Sequence, residues 1–265
     1  MIGAGLFSFA DYVGTFSIFA GILLIGVVLL FIFNHTEKNY DPDTKELAED
    51  VNQCKVAVYP RICTVLFFVI FGLAGPVYLE AVSANYLHSM GVSKLYIGFI
   101  FAIQMIGYLI AWGFFMLGKR FDRRVIMIVG AWIEIFGCLL IGPVIPVDSH
   151  IGWTIAGMFV MGAGSALCYL PTLPYMIKCA EKKFEDAKKE DLSDVLSAIF
   201  GTCHYIGETV GPLYSGIMTE VIGFRYAAGI FAAIIFIYSV FFGWYCDFWK
   251  VLCTCSCIAP KEELN

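Results

Sequence analysis

Hydrophobic positions along the chain form seven long runs, and the polar stretches between them carry most of the charged residues. A run of about 20 apolar residues is long enough to cross the hydrocarbon core of a bilayer as a helix. Helices satisfy their own backbone hydrogen bonds, as a chain inside lipid must. The pattern predicts transmembrane helices over residues 15–33, 62–84, 95–117, 125–144, 152–177, 196–219 and 226–249. We therefore expect an all-α, polytopic membrane helical bundle with about seven transmembrane helices.

The composition strengthens this prediction and narrows the function classes. The chain is 60% hydrophobic and 15% charged, whereas soluble domains are about 45–50% apolar and about 25% charged. It has no basic surface on which nucleic acid could bind. No Ser-His-Asp arrangement, phosphate-binding loop or metal-ligand spacing stands out. We therefore expect neither an enzymatic activity nor a cofactor or metal.

Lysine and arginine are unevenly distributed among the loops, which predicts the orientation of the protein. Loops rich in Lys and Arg alternate with loops that have almost none, and positively charged loops stay on the cytoplasmic side. The basic loops carry Lys38, Lys45, Lys55 and Arg61, then Lys119, Arg120, Arg123 and Arg124, then Lys178, Lys182, Lys183, Lys188 and Lys189. This pattern places the C-terminus in the cytoplasm and Met1 outside. An odd number of spans behind an outer N-terminus without a signal peptide predicts that a preceding part is missing.

Four regions follow from the spans and the loops. We assign residues 1–33 to the tail of one helix and the first span, at the end of a missing N-terminal half. Residues 34–61 form a cytoplasmic interdomain loop, residues 62–249 a six-helix bundle, and residues 250–265 a Cys-containing cytoplasmic tail.

Two cytoplasmic stretches carry further signals. The alternating charges of residues 178–194 predict a short amphipathic surface helix. Beyond the last span, the chain has Cys246, Cys253, Cys255 and Cys257. Cytosolic cysteines next to a membrane are candidates for S-palmitoylation, and unmodified thiols in a loose tail are the alternative.

One span combines several glycines, a proline and a carboxylate. Small residues allow close approach of helix backbones in membranes, and a proline frees a backbone carbonyl and bends the helix. The residues concerned are Gly201, Gly207, Gly211, Pro212 and Gly216, with Glu208 among them. Pro171 and Pro174 in YLPTLPYM predict a second bend, which a rocking transporter element would need.

Three predicted spans contain a carboxylate, namely Glu80, Glu134 and Glu208, and none has Lys or Arg near its centre. A charge at the bilayer centre costs at least about 2.5 kcal/mol on insertion scales, so each acid needs a proton, a partner or a cavity. Acids without basic partners favour protons or cationic solutes over anions.

Glu208 is the strongest candidate for a proton or solute pathway. His204 precedes it by one helical turn on the same face, and Tyr205 is three residues before it. The alternative is a protonated Glu208 that hydrogen-bonds to a neighbouring helix. Glu80 lies toward the outer end of its span and is a candidate mouth or gate residue, whereas Glu134 has few polar neighbours and favours a structural hydrogen bond.

Gln104 and Tyr169 lie within spans and are candidate pore residues. The alternative for each is a hydrogen bond between helices.

The run from LPTLP through the lysine-rich loop to GPLYSGIMTEVIGFRYAAG resembles major facilitator superfamily transporters, most closely their vesicular amine and polyamine branch. The stretch VYLEAVSANYLHSMGVSKLYIGFIF resembles the same branch. The resemblance covers essentially the whole chain and corresponds to the sixth to twelfth helices of that family. It implies a fold of two parallel six-helix halves, alternating access and solute/proton antiport in vesicles. By this analogy the second and fifth spans line the cavity, the helix of Glu208 flanks it and the helix of Glu134 is peripheral.

The chain departs from that family pattern in two places. The family's loop signature reads approximately G-x-L-x-D-R-x-G-R-R, whereas this chain reads GKRFDRR from Gly118. Asp122, Arg123 and Arg124 are the corresponding candidates for a gating loop. The first four helices of the family pattern have no counterpart here, and with them half of a central site.

These observations favour a proton-coupled secondary transporter, or the C-terminal part of one, for a small cationic organic solute such as an amine. The expected partners are that solute, protons, the lipid bilayer and a missing N-terminal half or second copy. The expected location is a vesicle, another endomembrane or the plasma membrane. The alternatives are a truncated, non-transporting paralogue that acts only with a partner half, and a passive channel.

Overall fold

The computed structural model describes residues 13–14, 17–29, 53–117, 121–142, 151–185 and 187–245, and these residues contain helices and no strand. The helices are α1 (Ser17–Leu29), α2 (Gln53–Ala57), α3 (Pro60–Ser89), α4 (Lys94–Leu117), α5 (Arg123–Ile141), α6 (Ile151–Tyr169), α7 (Thr172–Glu181), α8 (Lys189–Ile222) and α9 (Phe224–Tyr245). The predicted all-α fold class is confirmed.

Five helical segments in the described part of the chain are long and apolar enough to cross a membrane. They are α3, α4, α5, the combined segment of α6 and α7, and α9. Helix α8 has 34 residues and is also long enough, but it is more polar than these five. Helix α1 is apolar, with 13 described residues. The chain is an integral, multi-pass membrane protein.

Helix α6 lies at the centre of the packing, between α4 and α5, and also contacts α3. Glycine allows these close approaches, because an added methyl group would collide with the neighbouring backbone. A Cβ atom at Gly137 of α5 would lie 2.8 Å from the backbone nitrogen of Met161, and one at Gly130 would lie 2.6 Å from that of Cys168. On α4, Gly107 packs in the same way against the Phe159 carbonyl of α6. These contacts fit the general use of small residues between membrane helices.

Helix α3 packs along α8 through two of the glycines that the sequence singles out. A Cβ atom at Gly207 would lie 2.7 Å from the carbonyl oxygen of Ile70, and one at Gly211 would lie 2.7 Å from that of Ala74. A Cβ atom added at Gly201 or at Gly216 would lie in open space. Close packing therefore uses Gly207 and Gly211, one helical turn apart, and leaves the other two glycines outside it.

The predicted span 152–177 is not one continuous helix in the structure. Helix α6 ends at Tyr169, a turn includes Leu170 and Pro171, and α7 begins at Thr172. Pro174 lies in the first turn of α7, where the missing N–H costs no helical hydrogen bond. Pro212, in contrast, lies inside the uninterrupted helix α8. A rocking motion at these prolines stays a prediction.

Two loop predictions need correction. The separate surface helix predicted for residues 178–194 is wrong, because α7 continues to Glu181, residues 182–188 connect the helices and α8 begins at Lys189. Within the predicted loop 34–61, α2 folds as a short helix and its Val56 side chain is fully buried. Residues 30–52 and the four C-terminal cysteines lie outside the described residues.

Candidate functional site

His204 and Glu208 form a pair on α8. Their one-turn spacing places both side chains on the same helix face, and Nε2 of His204 lies 3.2 Å from Oε1 of Glu208. The side chains are 28% and 44% exposed, respectively. The pair is therefore accessible in this chain rather than sealed in the helix packing.

Tyr169, the last residue of α6, extends this pair to a second helix. Its hydroxyl oxygen lies 2.9 Å from Nδ1 of His204. An imidazole with its proton on Nε2 accepts at Nδ1, and in that tautomer the tyrosine hydroxyl donates to it. The ring of Phe200 packs 4.9 Å from that of Tyr169. Tyr169, His204 and Glu208 thus contact one another in series, Tyr169 through a hydrogen bond and Glu208 at ion-pair distance, and we call these three residues the α6–α8 cluster.

Two further helices approach this cluster. Tyr108 of α4 is half-buried and lies near Tyr169. Glu80 of α3 is exposed and interacts electrostatically with Glu208. Tyr108 was not predicted from the sequence, although it follows the candidate Gln104 by one helical turn, a spacing that places both residues on one helix face.

The other two predicted pathway residues lie beside the cluster or apart from it. Tyr205 is 68% exposed, and its ring contacts the edge of His204 at 5.4 Å between centroids. Gln104 is buried where α4 packs on Gly162 of α6, and its Oε1 atom has no hydrogen-bond partner among the described residues. A pathway role for either residue stays a prediction.

The predicted gating loop joins α5 to α7. Asp122 caps α5 by accepting a hydrogen bond from the backbone N–H of Arg124 at 2.9 Å, and its Oδ2 lies 2.7 Å from Nη2 of Arg124. Nη1 of Arg123 donates to the carbonyl oxygen of Pro174 at 2.7 Å. The loop thus attaches the start of α5 to the first turn of α7.

The environment of Asp122 favours its ionised form. Partial burial by itself would raise the pKa of this carboxyl group. Hydrogen bonds from the side chain and backbone of Arg124, together with the charges of Arg124 and Lys178, outweigh burial, so the pKa of Asp122 lies below its ordinary value.

Glu134 occupies a different environment from the other acids. Its side chain is fully buried, and neither carboxyl oxygen has a hydrogen-bond partner among the described residues. The glycines Gly75 of α3 and Gly164 of α6 pack directly against it. Ser165 and Cys168 of α6 lie beside the carboxyl group, and the structural hydrogen bond that the sequence favours for Glu134 stays a prediction.

Comparison with known protein families identifies the family of the chain. The family model described as Major Facilitator Superfamily matches residues 61–247. The chain belongs to the major facilitator superfamily. This confirms the family predicted from the sequence.

Relatives in this superfamily are longer than the chain. It is 26% identical to the MFS-type transporter SLC18B1 of Rattus norvegicus over 187 residues, which is 66% of this chain and 40% of the relative. It is 26% identical to MFS-type transporter SLC18B1 of Homo sapiens over 242 residues, which is 86% of this chain and 50% of the relative. The chain therefore spans about half the length of the curated relatives that it matches.

Proposed function

We propose that this superfamily chain acts in proton-coupled antiport of a small cationic organic solute, such as an amine or a polyamine. The observation that carries the proposal is the α6–α8 cluster, in which a carboxylate lies 3.2 Å from an imidazole that is hydrogen-bonded to a phenol. The relatives named as transporters support it.

The chemistry of the cluster suits alternate binding of a proton and a cation. An ionised Glu208 attracts a cation, and a protonated one has lost that attraction. Histidine changes its charge near neutral pH and can exchange a proton with the adjacent carboxylate. The second acid, Glu80, would add negative charge on the α3 side of the same region. Tyr108, Tyr169 and Phe200 supply aromatic faces, which attract organic cations.

The helix packing supports a cavity beside α8. Leu213 and Ile217 on α8 are 60% and 62% exposed, and Tyr205 and Glu208 are exposed on the same helix. We infer that this exposed side of α8 faces a central cavity shared with another group of helices, either an N-terminal half or a second copy. In this arrangement Glu80 acts near the mouth, and the loop of Asp122, Arg123 and Arg124 holds one gating state.

For the location, we propose a vesicle or another endomembrane, with the C-terminus in the cytoplasm. The alternation of basic loops supports this orientation. The plasma membrane is the second candidate.

A specific observation also supports a second function, that of a non-transporting membrane protein which acts only with a partner half. The exposed side chains of α8, among them Leu213 and Ile217, would then contact that partner.

The first experiment is to sequence the native transcript upstream of Met1, followed by uptake measurements on the native polypeptide in proteoliposomes. Proton-coupled antiport predicts that an imposed proton gradient drives uptake of radiolabelled amine or polyamine. This uptake should be lost when the gradient is collapsed. If a sealed, correctly inserted preparation shows no uptake, while a co-expressed partner half restores it, the second function is supported instead.

A further inference from the structure

The carboxyl group of Glu134 lies on the side of α3 away from its contact with α8. Ala74 of α3 packs against Gly211 of α8, whereas the next residue, Gly75, packs against Oε1 of Glu134. A Cβ atom at Gly75 would also lie 2.8 Å from Cε of Met161. Helix α3 is therefore held between α8 on one side and the Glu134 carboxyl on the other.

No positive charge compensates this acid in the described residues. Within the described residues, helix α6 contains no Lys, Arg or His. On α3, Arg61 and His88 lie at the two ends of the helix. Arg124 lies ten residues before Glu134 on α5, about 15 Å along the helix. On α9, the basic residue is Arg225, at the start of that helix.

The polar groups that face Glu134 are uncharged hydroxyl and thiol groups. Ser165 and Cys168 of α6 lie beside the carboxyl, but they donate to the carbonyl oxygens of Met161 and Met127. Cys138, one turn further along α5, is also buried next to it, and Tyr78 of α3 lies near Cys138. An isolated carboxylate in such dry surroundings costs several kcal/mol or more, and the neutral acid avoids this cost.

A neutral acid carries one O–H donor, and α3 contains a carbonyl that needs one. Pro76 has no N–H, so the carbonyl of Gly72, four residues earlier, lacks its regular helical partner. Gly72 packs on Cys168, and Gly75 packs on Glu134, so this interrupted turn of α3 lies against the acid.

We propose that Glu134 is a proton-binding site separate from the α6–α8 cluster, in which the neutral acid holds the Gly72–Pro76 turn of α3 against α5 and α6. Loss of the proton places a charge in this dry contact, and α3 separates from α5 and α6 as water enters. The site does not depend on the proposed transport function.

The first test is infrared spectroscopy of the chain in lipid nanodiscs at neutral pH. We expect a carbonyl-stretch band of a protonated carboxylic acid that is lost in Glu134→Gln and retained in the double variant Glu80→Gln/Glu208→Gln. The double variant retains Glu134 and lacks Glu80 and Glu208. It therefore tests Glu134 even if the Glu134→Gln protein folds poorly. Absence of the band from the double variant would overturn the proposal.

The second test is hydrogen–deuterium exchange of peptides from the middle of α3, measured from about pH 6 to about pH 9. Release of one proton on opening predicts that exchange rises about tenfold per pH unit beyond the intrinsic increase over the pH range in which Glu134 is protonated in the closed state and ionised in the open state. The variant Glu134→Gln retains Cys138, Cys168 and Tyr78 but should lack this additional rise. The same rise in both proteins would assign it to those other groups and refute the role of Glu134.

Discussion

Nε2 of His204 lies 3.2 Å from Oε1 of Glu208, and Nδ1 on the other side of the same ring lies 2.9 Å from the hydroxyl oxygen of Tyr169. The imidazole thus connects a carboxylate on its own helix to a phenol on the neighbouring helix. Both members of the His–Glu pair are partly exposed, and such pairs contribute only about 0–1 kcal/mol to stability. We therefore expect substitutions here to change transport much more than folding.

The first prediction concerns Glu208→Gln, which removes the titratable charge and keeps the shape of the side chain. We expect loss of proton-driven uptake in proteoliposomes, with the free energy of unfolding changed by no more than about 1 kcal/mol. Glu220→Gln is the matched control, because Glu220 is an exposed acid further along the same helix, and it should keep uptake. Normal uptake by the Glu208 variant would remove this residue from the proposed mechanism.

The second prediction concerns Tyr169→Phe, which deletes the hydroxyl group that bonds to His204. A hydrogen bond contributes about 0.5–1.5 kcal/mol, which corresponds to an uptake rate about 2-fold to 10-fold lower. Tyr205→Phe is the control, since that side chain is 68% exposed and contacts His204 through its ring.

A double-mutant cycle separates the hydrogen bond from a general effect of Tyr169. If the hydroxyl acts through the imidazole, Tyr169→Phe should add little to the loss already caused by His204→Gln. Fully additive losses would show that the two residues act independently.

The third prediction uses the two classes of glycine on α8. Gly211→Ala would place a Cβ atom 2.7 Å from the Ala74 carbonyl oxygen and 3.1 Å from the Tyr78 nitrogen, so α8 and α3 must move apart. Overpacking of this kind costs about 1–3 kcal/mol, measurable by denaturation in mixed micelles. Gly216→Ala, with open space around the added methyl group, should not destabilise the protein. Equal stability of the two variants would contradict the close α3–α8 packing.

The features that depend on local geometry could be predicted from the sequence. The apolar runs predict membrane helices because a bilayer sets the required length, and helix periodicity alone places His204 beside Glu208. The bond from Tyr169 could not be predicted, because it depends on how the end of α6 packs against α8. The same holds for Tyr108, which reaches the cluster from a third helix.

The boundaries that were wrong have a common physical cause. The alternating charges of residues 178–194 fit an exposed helix, but they belong to the end of α7, a connection and the first turns of α8. Local charge pattern does not record where one helix ends and the next begins. Pro171 differs from this case: the proline predicts a bend in the span, and a turn at Leu170 and Pro171 separates α6 from α7.

The fourth prediction concerns Asp122 and acid pH. Because the pKa of Asp122 is lowered in the folded protein, its ionised form stabilises the fold at any pH above the ordinary value of an aspartate, about 3.9. That stabilisation is lost as the pH falls through the folded pKa. Asp122→Asn cannot ionise, so the variant should already be less stable at neutral pH, and the difference from the parent protein should shrink below about pH 4.

Thermal melting of both proteins across this pH range checks the prediction, and Asp194→Asn serves as the control at an exposed acid of α8. The ion pair with Arg124 is partly exposed, so high salt should also reduce the difference between Asp122→Asn and the parent protein. The backbone hydrogen bond at the helix cap is screened less than the ion pair, so part of the difference should persist in salt. A difference that grows as the pH falls would mean that Asp122 is not stabilised in its ionised form, and the assigned cap and ion pair would then be wrong.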